Sequence, residues 1–199
     1  MVYVLEPVIR KSDPAGFTVA TGGFKSSDRA IKRQFKPVPS EQLPKRVKIS
    51  GKRPMPDFFS LAADHYYVSS RFRSVLEQYA AGAVEYLEVE FDIPTNKNPA
   101  DAYYFINVQG RSQLMDWELT AKTPPAGDGC FFFWDGAPDR WVMRTPPVGH
   151  VAIWHETDRI ETDAKYFGSG RHVFVTNELG DALNAAFSRQ CVLSRLREV

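Results

Sequence analysis

Val68-Ser69-Ser70-Arg71-Phe72-Arg73-Ser74-Val75-Leu76, continued beyond Gly82 by Val84-Glu85-Tyr86-Leu87-Glu88-Val89, is the stretch whose reading decides the fold. Phe72, Val75, Leu76 and Tyr79 recur with helical period and make one apolar stripe. Ser69 or Ser70 brings the hydroxyl that an N-cap needs, because the first amides of a helix find no partner inside it. Gly82 ends the helix, since glycine enters the left-handed region at little cost. Tyr66 to Val68 before the helix and Val84 to Phe91 after it carry the β-branched and aromatic residues of strands, the second with one wetter face.

The same order returns near the end of the chain, with Val175 in the place of Val68. Val175-Thr176-Asn177-Glu178-Leu179-Gly180-Asp181-Ala182-Leu183 repeats the β-branched strand end, the polar cap and the apolar helix positions. With a gap of three residues, Ser194-Arg195-Leu196-Arg197-Glu198-Val199 then lies over Val84 to Val89. Thr176 or Asn177 is the natural cap of the second helix, which is expected over Asn177 to Phe187. Each amphipathic helix must cover an apolar face, and a sheet is the available partner. The expected class is α+β: a mixed or antiparallel sheet covered by a few amphipathic helices, containing two strand-helix-strand units.

Outward from these units, residues 1–9 read as an edge strand closed by Pro7, and Ser27 to Phe35 as a short helix stopped by Pro37 and Pro39. Pro37, Pro39, Pro44, Pro54 and Pro56 make 37–56 an irregular, extended stretch. Phe58, Phe59, Leu61 and Ala62 suggest a short helix. Ala102 to Val108, Cys130 to Trp134 and Val151 to Trp154 read as strands, and Trp141 to Met143 as the antiparallel return of a hairpin from Cys130 to Trp134. A terminal strand is expected near Val192 to Arg197. These boundaries divide the chain into a basic, proline-rich segment at 1–56, packed on the body, and an α+β domain at 57–199.

The 199 residues are 43% hydrophobic and 25% charged, the composition of a globular protein, and the net charge is +1. Its distribution is uneven. Residues 1–53 carry 12 basic and 4 acidic side chains, whereas 54–199 carry 13 basic and 20 acidic. A nucleic-acid binder would use Arg29, Lys32, Arg33, Lys36, Lys45, Arg46, Lys48, Lys52 and Arg53 as phosphate contacts. The preferred reading is that the basic head lies against the acidic body of its own chain, which makes nucleic-acid binding the lesser alternative. The opening residues lack the long apolar run of a signal peptide, and no stretch approaches the roughly 20 apolar residues that span a bilayer. A cytoplasmic location and no membrane partner are expected.

The run Tyr67-Val68-Ser69-Ser70-Arg71-Phe72 through Val84-Glu85-Tyr86-Leu87-Glu88-Val89, then Tyr103-Tyr104-Phe105-Ile106-Asn107-Val108, and finally Val173-Phe174-Val175-Thr176-Asn177-Glu178 to Leu196-Arg197-Glu198-Val199, resembles bacterial immunity proteins of the MXAN-0049 type. The resemblance covers about residues 60–199, and the terminal Leu-Arg-Glu-Val is its most specific part. It implies a protein that protects a bacterium against polymorphic toxins delivered by kin or rivals. No active-site residues come with it. Ser188-Arg189-Gln190-Cys191 departs from the glycine-containing turn expected before the last strand, and the resemblance leaves the basic segment 1–56 unexplained.

Side-chain chemistry points the same way. His155-Glu156 lacks the second histidine four residues away that a helical metalloprotease motif requires. His150 and His155 are five apart and face opposite ways on a strand, and a loop metal site with Asp158, Glu161 and Asp163 would need carboxylates that converge inward. No metal and no cofactor are expected. Cys130 and Cys191 read as small buried hydrophobes, although a pair of Cys130 with His150 or His172 is the form an enzyme would take. Gly22-Gly23 and Gly168-Ser169-Gly170 lack the lysine ending of a phosphate loop.

The expected function is therefore a non-enzymatic immunity protein that binds and neutralises a cognate toxin or effector domain. The alternatives are a small cytoplasmic enzyme with a cysteine/histidine site and, after it, a nucleic-acid binder. Many intracellular toxins have basic clefts, which an acidic surface would both steer toward and occlude. The segment His155 to Asp163, with Glu156, Asp158, Glu161 and Asp163, is the first candidate surface, and Trp117 with Glu118 is the second.

Overall fold

The structure, a computed structural model, describes residues 1–7, 17–21, 38–49, 55–62, 65–92, 102–116, 119, 141–156 and 172–199. Along the chain these form β1 (Val2–Pro7), β2 (Phe17–Thr21), β3 (Arg46–Ile49), β4 (Phe58–Ala62), β5 (His65–Ser69), α1 (Ser70–Ala80), β6 (Val84–Glu88), β7 (Glu90–Asp92) and β8 (Tyr103–Val108). Then follow β9 (Arg111–Ser112), β10 (Val142–Met143), β11 (Ile153–Glu156), β12 (Val173–Thr176), α2 (Asn177–Phe187), β13 (Cys191–Arg195) and β14 (Arg197–Glu198). The fold is α+β with mostly antiparallel sheets. One sheet has the order β4-β5-β8-β6 and another β13-β1-β12-β11-β9. Two smaller sheets, β2-β3-β7 and β10-β14, complete the described set.

Helix α1 starts where the hydroxyl pattern predicts. Ser69 is its N-cap, and its Oγ accepts from the Phe72 amide at 3.2 Å. Gly82, at φ +76°, follows the last helical turn. Phe72, Leu76 and Ala80 form the buried stripe. In α2 the cap position belongs to Thr176, whose side chain makes no capping bond; Asn177 instead donates to Asp181 at 3.0 Å. Leu179, Leu183 and Phe187 are the buried face, and Phe187 lies 4.8 Å from Phe72 between ring centroids, which joins the two helices. Leu5, Phe58, Val68, Ile153 and Val175 extend this core to both large sheets.

The opposite faces of the two sheets have cores of their own. Phe59, Leu61, Tyr67, Tyr103 and Phe105 meet Val47 and Ile49 of β3, and Val2, Val4, Trp154 and Phe174 meet Met143 and Leu196. Both large sheets are thus covered on two sides, which explains one departure from expectation. Phe58–Ala62 is a strand rather than a short helix: Phe58 faces the helices while Phe59 and Leu61 belong to the core behind. A strand buried on both faces reads as an unbroken apolar run, and short apolar runs have no period that separates strand from helix. Nor is β1 an edge strand, because strands from the far end of the chain pair with both of its edges. It lies between β12 and β13, with Val2, Val4 and Leu5 fully buried.

A further detail corrects the repeat. No gap is needed in the alignment, because Cys191, the first residue of β13, follows the start of α2 by the same interval that separates Val84 from the start of α1. The connecting turns match: Ala83 donates to Ala80 O at 3.0 Å, and Gln190 to Phe187 O at 2.8 Å. Val142–Met143 pairs in parallel with β14, its antiparallel contact among the described residues being a single bridge from Met143 to Met115. The helix expected at 27–35 and the strand at 130–134 lie outside the described residues.

Candidate functional site

Alternation along β11 sends Trp154 and Glu156 to one face and His155 to the other. Glu156 is fully buried. Its Oε1 accepts from Trp154 Nε1 at 2.7 Å, and its Oε2 accepts from the amides of Leu114 at 2.8 Å and Met115 at 3.0 Å. Burial pushes this carboxyl above its ordinary range, and the three donors pull against that push. The expectation that Glu156 belongs to a contact surface is therefore corrected: the carboxylate is buried and accepts from three N–H groups of its own fold. The Trp-x-Glu spacing on a strand was the signal for it, since residues two apart share a face.

His155 pairs with Arg111 of β9 and donates from Nδ1 to the His172 carbonyl at 2.7 Å. Burial lowers its pKa to about 4, helped by the positive charge of Arg111. Arg111 donates to the carbonyls of Val108 at 2.6 Å and Gly110 at 2.7 Å. The imidazole is thus neutral at neutral pH, with one nitrogen committed to the backbone. An unfolded imidazole takes up a proton near pH 6.5, and the folded one does so only near 4. Between those values the unfolded state holds more protons, so stability falls as pH drops, by about 3 kcal/mol in total. Urea unfolding of the parent across this window should show that loss, and His155→Asn, which keeps a donor toward the carbonyl, should flatten it. An equally steep loss in the variant would assign the slope to other groups.

The other histidines are spread through the fold. His172 packs on Trp141 at 4.8 Å and approaches Glu6 Oε1 at 3.5 Å, His150 packs on Trp154 at 4.9 Å, and His65 lies edge-on to Phe105. Cys191 is buried, donates to the Phe187 carbonyl at 3.6 Å, and has its thiol pushed up to about 11 by burial. It is a protonated core group, not a ready nucleophile. Cys130 lies outside the described residues. Among the described residues there is no group of three or more His, Cys, Asp or Glu placed to hold a metal ion.

One polar cluster escaped the sequence reading. The Asp57 carboxylate accepts from Arg71 Nη2 at 2.6 Å and Nε at 3.2 Å, from Ser69 Oγ, and from Gln190 Nε2 at 2.6 Å, while the Asp57 amide donates to Gln190 Oε1. Burial raises its pKa, but the hydrogen bonds from Arg71, Ser69 and Gln190 outweigh that and hold the carboxyl below its ordinary value. The cluster ties the starts of β4 and α1 to the turn before β13. No local pattern announces it, because Asp57 and Gln190 are 133 residues apart.

Trp117, Glu118, Asp158, Glu161 and Asp163 lie outside the described residues. Their attachment points are described. Asp116 Oδ1 accepts from the Leu119 amide at 3.0 Å, bracketing 117–118, and Glu156 immediately precedes 157. Because Glu156 binds the amides of Leu114 and Met115, the described residues 114–116 and 154–156 lie side by side.

On β3 the basic residues face acidic partners: Arg46 pairs with Glu90, with a 3.2 Å ion pair, and Lys48 with Asp92. This described part of the basic head therefore lies beside acids of its own chain. Arg29, Lys32, Arg33, Lys36, Lys52 and Arg53 are outside the described residues. Among the described residues no helix is long and apolar enough to cross a membrane.

No curated protein matches the chain. The sequence model of the Immunity protein family (Imm11) matches residues 6–124, a span that includes the basic head as well as α1 and the sheet around it. With more than half of its length matched, the chain belongs to the Imm11 immunity protein family.

Proposed function

We propose that the chain is a non-enzymatic immunity protein of the MXAN-0049 type, acting in the cytoplasm, that binds a cognate toxin or effector domain and blocks it. Membership of the Imm11 family is the observation that carries this reading. The chemistry of the interior is in keeping with it. Asp57, Glu156, His155 and Cys191, the groups best placed to attract catalytic suspicion, are each engaged by hydrogen bonds within the fold. A protein that neutralises by contact needs an affinity surface and no reactive centre.

The proposed contact surface is Trp117 and Glu118 together with Asp158, Glu161 and Asp163. A tryptophan beside acidic groups offers a large apolar anchor and steers a basic partner. The test is co-expression with the toxin domain encoded next to it. The parent chain should restore growth, and Asp158→Lys/Glu161→Lys/Asp163→Lys should weaken binding at least about tenfold. Lack of rescue by the parent chain would remove the immunity reading; full rescue with undiminished affinity in the variant would remove this surface.

A further inference from the structure

We infer that the described fold is one module present twice, and that β1 is a donated strand that closes the second copy. The strand pairings carry the inference. In the first copy Val68 lies between Phe58 of β4 and Tyr104 of β8; in the second, Val175 lies between Ile153 of β11 and Tyr3 of β1. Val84 pairs with Val108, and its counterpart Cys191 pairs with Pro7. Farther along the same strands, Leu87 pairs with Phe105 and Ser194 with Val4. The small sheets agree too: β3 runs parallel to β7 and β10 parallel to β14.

Hydrogen bonds outside the ladders repeat in the same register. Val89 donates to Tyr103 O at 3.2 Å, and Leu196 to Val2 O at 3.0 Å. Ser69 donates to Asp57 O at 2.9 Å, and Thr176 to Ala152 O at 3.0 Å. A shift of one residue in any strand would break this agreement, because it would turn every side chain to the other face.

The copies differ in where the closing strand comes from. In the first, β8 follows β7 after the connection 93–102. In the second, the same slot between β12 and β13 is filled by β1, which enters from the opposite end of the chain. The first copy closes through contacts near in sequence. The second must bring together residues 2–7 and 173–195, which costs loop entropy and makes it the later part to order. The N-terminal strand is therefore a latch: its seating orders the C-terminal half.

The test gives the second copy a closing strand in the first copy's chain order. Val4→Asp places a charge in the buried face of β1 and should lower the thermal midpoint by about 10 °C, or abolish the transition. The same variant, extended after Val199 by a copy of the connection Ile93 to Ala102 and then by an intact copy of Val2 to Pro7, should regain the parent midpoint to within about 3 °C. The amide protons of β12 and β13 should regain their protection against exchange. Failure of the appended strand to restore either property would overturn the inference, as would a Val4→Asp variant as stable as the parent.

Discussion

Replacing Glu156 by leucine should cost about 3–5 kcal/mol of stability, although it removes a charge from the interior. The carboxylate is the acceptor for three N–H groups: the Trp154 indole and the amides of Leu114 and Met115. Leucine leaves all three without this acceptor, two of them in buried positions, and each orphaned buried donor costs roughly 1–3 kcal/mol. Relief of the buried charge returns part of that, since the carboxyl is already held above its usual range. Glu156→Gln, similar in size and keeping one acceptor oxygen, should cost less than half as much. Denaturant midpoints of the three proteins at neutral pH decide the matter. A leucine variant as stable as the parent would mean that the strand holds 114–116 without the carboxylate.

Gly110→Ala should be comparably damaging for a different reason. A Cβ at this position would sit 2.2 Å from the Ile153 carbonyl oxygen and 3.1 Å from Trp154 Cβ, so the contact is with backbone that has little freedom to move. The Gly110 carbonyl accepts from the His155 amide at 3.0 Å, and separating the segments would break that bond with the β9–β11 pairing beside it. About 3 kcal/mol or more is expected. Gly82→Ala is the control: there is open space around the added Cβ, and the φ of +76° alone should cost about 1 kcal/mol. If the Gly110 variant loses no more stability than the Gly82 variant, the close approach is not a constraint.

These residues also show which parts of the molecule were legible in advance. Helix α1 was readable because its cap, stripe and terminating glycine are local and agree with one another. Phe58–Ala62 was not, because burial on both faces erases the alternation that identifies a strand. Strand β1 was visible as a strand, but its central place depends on partners at the far end of the chain, Val173 to Thr176 and Cys191 to Arg195, and nothing local records them. Glu156 was misplaced because a glutamate in a polar run is ordinarily solvated, whereas here the strand period that puts it beside Trp154 decides. The Asp57 cluster was invisible for the same reason as β1: Gln190 is remote in sequence. Of the candidate contact residues, the structure describes Glu156 alone.

The proposed mode of action is that the chain works by occupying another protein. The most direct measurement is a titration of the purified toxin domain's activity with the purified chain. Blocking by contact predicts a linear fall in activity that reaches zero near one chain per toxin, together with a complex of that composition. Complete and lasting loss of toxin activity at a small fraction of that ratio would mean that each chain acts repeatedly, and would contradict a protein that neutralises by binding.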